Sequence, residues 1–201
     1  LAGVQHLLSG KWVAREQLVS LLQLVIRSGD RVCLEGNNQK QAQFLAQALA
    51  QLDPEQTNNL HIVQSALSLP EHIRVFEKGL ANRVDFCYSS GQGARLAQLA
   101  ASGKITIGGI HTYLELFARY FVDLTPKVAL VVAAKADRQG NLYTGPNTED
   151  TPAIVEATAF RNGLVIAEVY EVVDELPRVD IPASWVDVVV HSPLPMVLNP
   201  L

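Results

Sequence analysis

Val128-Ala-Leu-Val-Val-Ala-Ala134 is the longest uninterrupted apolar run in the chain, and it leads directly into Lys135-Ala-Asp-Arg-Gln-Gly-Asn-Leu-Tyr143. The run has the length of a strand and falls far short of the roughly 18–20 residues that span a bilayer. A strand that is apolar at every position is covered on both faces, as in a parallel sheet packed by helices. Outward from it, short β-rich apolar runs recur at residues 31–34, 60–63, 84–87, 105–107, 164–167 and 185–190. Between them lie stretches with helical spacing. Residues 16–26 carry Leu18, Leu21, Leu22, Val25 and Ile26 on one face, and 41–52 carry Phe44, Leu45, Ala48, Leu49 and Leu52. Residues 94–101, 113–121 and 152–160 repeat the pattern. Strands alternating with helices predict an α/β fold with a mostly parallel sheet and helices on both faces. Ser28-Gly29-Asp30 ends the first helix, and Thr151-Pro152 opens the last with proline at an early helical position.

The 201 residues fit one domain, 1–201, and a hydrophobic content of 48% is enough to fill its core. Charged residues are only 18%, which is low for a fully solvated monomer and suggests surface covered by another domain or subunit. The net charge of −4 and the lack of any Lys/Arg stripe exclude the basic footprint of a nucleic-acid binder. No membrane span and no signal peptide read at Leu1, and the chain is expected to be the N-terminal part of a longer polypeptide. Cys33 and Cys87 sit in apolar stretches without metal-like neighbours, the pattern of reduced core thiols in a cytoplasmic protein.

In open parallel sheets ligands bind beyond the carboxyl ends of the strands, so the loops that follow strands carry the interest. Glu35-Gly36-Asn37-Asn38-Gln39 places a glycine and three carboxamides between a strand and a helix. It serves either as a plain turn or as a close-approach loop whose carboxamides hold a thioester carbonyl or its oxyanion. Ser90-Gly91-Gln92-Gly93 is a second Gly-rich turn without dinucleotide or P-loop spacing. Gly108-Gly109 reads as a third tight turn before His111, a histidine either bonded within its loop or facing a substrate carboxylate. His6, His61, His72 and His191 read as structural. Residues 135–151 form a long polar stretch, in which Lys135, Asp137 and Arg138 can pair with one another and Asp150 or Thr151 can cap a helix. There is no Gly-x-Ser-x-Gly elbow, no H-E-x-x-H and no Cys/His metal spacing, so no metal site is expected.

Ala134-Lys-Ala-Asp-Arg-Gln-Gly-Asn-Leu-Tyr143 resembles the K-A-D-x-x-G-N signature of family I coenzyme A transferase α halves. Asn147-Thr-Glu-Asp-Thr-Pro152 resembles the turn that follows it there. Val165-Ile-Ala-Glu-Val-Tyr-Glu-Val-Val173, Val179-Asp-Ile-Pro182 with Trp185-Val-Asp187, and Thr125-Pro126 match further family segments in order, Ser90-Gly-Gln-Gly93 more loosely. Gly36-Asn-Asn-Gln-Lys-Gln-Ala42, Ile110-His-Thr-Tyr113 and Gly140-Asn-Leu-Tyr-Thr-Gly-Pro-Asn-Thr-Glu-Asp-Thr-Pro152 are similar, more narrowly, to the malonate decarboxylase α-subunit family.

That resemblance implies an acyl-carrier-protein transferase that exchanges acetyl for malonate on a carrier thioester and releases acetate. The implied co-substrate is the carrier's phosphoribosyl-dephospho-coenzyme A arm, or coenzyme A, with no permanently bound cofactor. The implied partners are the acyl carrier protein and other malonate decarboxylase subunits. The family's nucleophilic glutamate has no counterpart among these residues, and Gly36-Asn37-Asn38 stands where the family has Gly-Gly-Phe. The residues expected to line the thioester and acyl pocket are Gly36, Asn37, Asn38, Gln39, Gln92, Gly93, His111, Asn147 and Thr148. Two other enzymatic readings keep the fold, a coenzyme A transferase and a citrate lyase α-type subunit. A third, of another class, is a non-catalytic half that docks the carrier, with Lys40, Arg95 and Lys104 converging on it. A sugar-phosphate isomerase on a similar fold is a further alternative.

Overall fold

The apolar runs become strands of one twisted sheet in a computed structural model that describes residues 2–37 and 40–195. The chain opens with a small antiparallel hairpin, β1 (Leu8–Ser9) and β2 (Trp12–Val13), followed by α1 (Leu18–Val25) and β3 (Arg31–Leu34). Next come α2 (Gln43–Leu49), β4 (Leu60–Ala66), α3 (Pro70–Glu77), β5 (Ala81–Tyr88), α4 (Gly93–Ala101), β6 (Thr106–Ile110) and α5 (Tyr113–Val122). The second half holds β7 (Val128–Asp137), β8 (Leu142–Tyr143), α6 (Thr151–Ala159), β9 (Leu164–Val173) and β10 (Val188–His191).

The strand order is β1-β2-β10-β9-β7-β3-β4-β5-β6, with β8 paired to β7. Every pair is parallel except β1–β2 and β7–β8. Val32, Leu34, Ile62, Val132 and Ile166 face one layer, which α1, α2, α3 and α4 cover through Leu21, Leu45, Ile73 and Leu96. Cys33, Val63, Val131 and Ala167 face the other, covered by α5 and α6 through Leu116, Tyr120, Ile154 and Val155. Both faces are thus buried, as the unbroken apolar runs require.

From β3 the chain steps outward through β4, β5 and β6, then returns to the other side of β3 to lay down β7, β9 and β10. The order reverses between β3 and β7, and such a reversal is where open α/β sheets form their ligand crevice. Strand lengths sharpen this crevice. β3 stops at Leu34, whereas β7 and β9 stay paired as far as Asp137 and Val173. Beyond Leu34, the Glu35 N–H donates to the Leu130 carbonyl and Gly36 bridges Gln41.

Several expectations need correction. Gly108 and Gly109 belong to β6 and form no tight turn. A Cβ at Gly108 would collide with the Asp85 carboxylate, and one at Gly109 would lie 2.5 Å from the His111 ring, so the two glycines admit these side chains beside the strand. Lys135, Ala136 and Asp137 belong to β7, and the polar stretch begins as a hairpin. Helix α3 has no counterpart among the expected helices, although Pro70 occupies its first turn. Among the described residues no helix is long and apolar enough to cross a membrane.

Candidate functional site

The turn after β3 is closed at its base by an antiparallel bridge between Gly36 and Gln41. Gly36 is needed here because of crowding. A Cβ would stand 2.5 Å from Gln64 Nε2 and 2.7 Å from Gln41 Oε1, and the Gly36 carbonyl accepts the Ala66 N–H at 2.8 Å. Asn37 is almost fully buried, its Oδ1 accepting the Lys40 N–H at 2.8 Å while Nδ2 donates to Asp150 Oδ1 at 3.4 Å. Its carboxamide therefore shapes the turn. Asn38 and Gln39 lie outside the described residues.

Beneath the turn lies a buried polar network. Glu35 is fully buried; its Oε1 lies 3.1 Å from Lys40 Nζ and accepts the Thr151 hydroxyl, and its Oε2 accepts the Val132 N–H at 2.8 Å. Lys40 Nζ also donates to the Thr148 carbonyl at 3.2 Å and to Thr151 Oγ1. Asp150 accepts the Ser65 hydroxyl through Oδ2. Burial pushes the Glu35 carboxyl up against the pull of Lys40, and it pushes Asp150 up against the hydrogen bonds of Ser65 and Asn37. The turn after β3 and the segment leading into α6 are thereby joined across the reversal point. Asp150 and Thr151 use their side chains here, and Asp150 makes no side-chain cap on α6. Glu149, just before them, has a left-handed φ of 46°. Asn147 and Thr148 are half-buried on the same segment, with Thr148 Oγ1 accepting the Thr144 hydroxyl at 3.2 Å.

The K-A-D-x-x-G-N stretch is an architectural device. Asp137 accepts the N–H groups of Gln139 (3.0 Å) and Asn141 (2.9 Å) and the Asn141 side-chain amide (2.7 Å). Gly140 takes a φ of 88° to close the hairpin. Lys135 pairs with Glu171 at 2.7 Å and Arg138 with Asp174 at 2.8 Å, so the three charges do not pair with one another. Arg178 lies 5.1 Å over the Tyr143 ring, and Asp180 accepts the Thr144 N–H at 2.9 Å, pinning the far wall.

The remaining expected residues lie along the sheet. Gln92 and Gly93 start α4 after β5, two strands from β3; Gln92 Nε2 reaches the Ser68 carbonyl at 3.4 Å. His111 follows β6, three strands and roughly 14 Å from β3 at the usual strand spacing. It is buried, with Nε2 2.7 Å from Asp85 Oδ1 and Nδ1 3.1 Å from Glu115 Oε1. Its partners come from β5 and α5 and not from its own loop. His61, read as structural, meets the other Asp85 oxygen through Nε2 at 2.7 Å. Burial favours a neutral Asp85, but hydrogen bonds from His111 and His61 outweigh it and hold the carboxyl below its ordinary range. Lys40 is buried on Glu35 and Arg95 is paired with Glu77, so the imagined basic patch with Lys104 does not form.

The reading from sequence also missed Glu168. It is fully buried in β9, with Oε2 accepting the Leu45 N–H at 2.7 Å and Oε1 without a partner among the described residues, and burial pushes its carboxyl up to about 8. A lone glutamate inside the apolar run 164–169 was its signal.

Comparison with known proteins matches the whole chain, residues 1–201, to the family described as malonate decarboxylase, alpha subunit, transporter. The chain is 57% identical over 191 residues to the acetyl-S-ACP:malonate ACP transferase of Malonomonas rubra, which covers 95% of this chain and 34% of that protein. It superposes on a chain of the Pseudomonas malonate decarboxylase hetero-tetramer solved with malonate (52% identity, TM-score 0.96, 99% of this chain and 37% of that one). It does the same on the malonate decarboxylase α subunit of Acinetobacter baumannii (46% identity, TM-score 0.96, 100% and 38%). The chain thus spans about a third of the length of these relatives. The fold alone is shared with glutaconate coenzyme A-transferase of Acidaminococcus fermentans (15% identity, TM-score 0.71, 91% and 76%).

Proposed function

Because the chain belongs to the malonate decarboxylase α-subunit family, we propose that it forms the α/β half of an acyl-carrier-protein transferase that exchanges acetyl for malonate on a carrier thioester. The observation that carries this reading is the meeting of the 36–40 turn with residues 147–151 at the reversal point between β3 and β7. Gly36, Asn37, Asn38 and Gln39, together with Asn147 and Thr148, line the thioester and acyl pocket in this reading. The Asn37 carboxamide also braces the turn, and Gln92, Gly93 and His111 form the outer rim along the sheet.

In the exchange, a glutamate carboxylate outside these residues attacks the thioester carbonyl of the acetyl carrier. The carrier thiolate leaves as an acetyl-glutamyl anhydride forms, then attacks the glutamyl carbonyl and expels acetate. Malonate displaces the thiolate again to give a malonyl-glutamyl anhydride, and the thiolate's return to the malonyl carbonyl frees the glutamate. Acetyl carrier plus malonate thus gives malonyl carrier plus acetate. Glu35 is unsuited to this attack because both its oxygens are engaged and buried. Backbone N–H groups of a tight turn suit the oxyanion, and a crevice closed by a second domain keeps water from the anhydride. The carrier's phosphoribosyl-dephospho-coenzyme A arm, or coenzyme A, is the co-substrate. The carrier and the other decarboxylase subunits are the partners, and the cytoplasm is the setting.

The test mixes the full-length subunit with acetylated carrier protein and malonate and follows the carrier's mass. A shift from acetyl to malonyl carrier that is lost in Asn38→Ala supports the reaction and the loop. Turnover of free acetyl-coenzyme A without the carrier points to an ordinary coenzyme A transferase, and silence with both refutes the reading.

A further inference from the structure

Burying a lysine and a glutamate together costs more in lost hydration than their attraction commonly returns, and apolar side chains of similar size would hold the sheet as well. Lys40 nonetheless sits with 3% of its side chain exposed against a Glu35 with none. Its contacts show what the pair accomplishes. Nζ meets Glu35 at the end of β3, the carbonyl of Thr148 on the facing segment and the hydroxyl of Thr151 at the start of α6. Its own backbone N–H fixes the Asn37 carboxamide, whose other end reaches Asp150. One ammonium group therefore joins the two segments that line the crevice, at a point where β3 has ended and no ladder hydrogen bond links them.

We propose that Lys40 is a positioning residue for the acyl exchange, holding the 36–40 turn against residues 148–151 so that both walls of the pocket keep one geometry. This rests on the functional reading above and assigns a role within that same site. Lys40 touches no reacting atom; it acts through the Asn37 turn and the Thr148 backbone. Removing it lets the two walls shift independently, which lowers the fraction of bound complexes in reacting geometry more than it weakens binding.

The decisive variant is Glu35→Gln with Lys40→Met in the full-length subunit, which removes both charges of the pair together. Carrier-mass kinetics at varied malonate should show kcat lowered about tenfold or more with KM within about threefold of wild type, because misplacement costs rate before affinity. Hydrogen exchange should quicken together in 36–41 and 144–151 while β4 and β9 stay protected. A folded double variant with wild-type kcat overturns the inference and leaves the functional reading intact. Should the double variant not fold, Thr151→Val answers the same question, since it removes the hydroxyl shared by Glu35 and Lys40 but keeps their ion pair. A lowered kcat at unchanged KM supports the inference, and unchanged kcat overturns it. Absence of exchange by the wild-type protein would overturn the functional reading and this inference with it.

Discussion

Replacing Glu168 by glutamine should remove most of the pH dependence of stability around β9. The carboxyl is fully buried and held up to about 8, so the folded protein carries a proton there that the unfolded chain releases near 4.5. With more protons bound when folded, stability falls as pH rises between those two values and levels off above about 8. At about 1.4 kcal/mol per pH unit, the loss is about 3 kcal/mol by neutral pH and about 5 kcal/mol at the plateau. Glutamine carries no charge, can still accept the Leu45 N–H, and escapes this loss. The Glu168→Gln subunit should therefore match wild type near pH 4.5 and exceed it increasingly toward pH 8. The assay is native-state hydrogen exchange of β9 amides in the full-length subunit across that range, corrected for intrinsic exchange rates and read as opening free energies. Parallel profiles for wild type and variant would refute the reasoning, because they would mean that the carboxyl ionises normally inside the fold.

Other residues give equally direct expectations. Gly36→Ala must displace Gln64 and Gln41 and should cost about 1–3 kcal/mol, measured by thermal melting, together with the carrier exchange. Asp137→Ala strips three donors of their acceptor and should lower stability by about 2 kcal/mol, with exchange quickening in 138–143; protection of wild-type strength there would contradict the hairpin role. Asp85 is held below its usual range, so its contribution is present above pH 3.8 and is lost as pH falls through its folded value. Asp85→Asn should abolish that acid-side loss, and a steep acid transition persisting in denaturation of the variant would count against it.

The alternation of strands and helices was legible because both faces of the sheet are buried, which leaves β7 and β9 apolar at nearly every position. The loops flanking the reversal point could be located as well, since glycine and carboxamides cluster after β3. The ties that join them could not. Glu35 and Thr151 are 116 positions apart, and Ser65 and Asp150 are 85 apart, so their meeting depends on strand order, which periodicity does not encode. For the same reason the partner of His61 emerges only once β4 and β5 lie side by side. Gly108-Gly109 misled in a different way. Paired glycines usually mark a turn, but here they clear room beside an edge strand for a carboxylate that arrives from its neighbour. The hairpin signature in 135–141 was recognisable as a pattern, yet its chemistry is backbone capture by Asp137.

The sheet joins its opening hairpin to β10: Trp12 pairs with Val189, and Lys11 donates to the carbonyls of Ala183 and Val186. During synthesis, β2 therefore lacks its sheet neighbour until β10 has left the ribosome. Until then β1 and β2 are a loose flap, and loop closure over such a sequence separation is entropically slow. Nascent chains arrested before Val188 should be cut by protease near residues 8–13, while chains that include β10 resist, which makes the arrival of the last strand the event that seals this edge of the sheet.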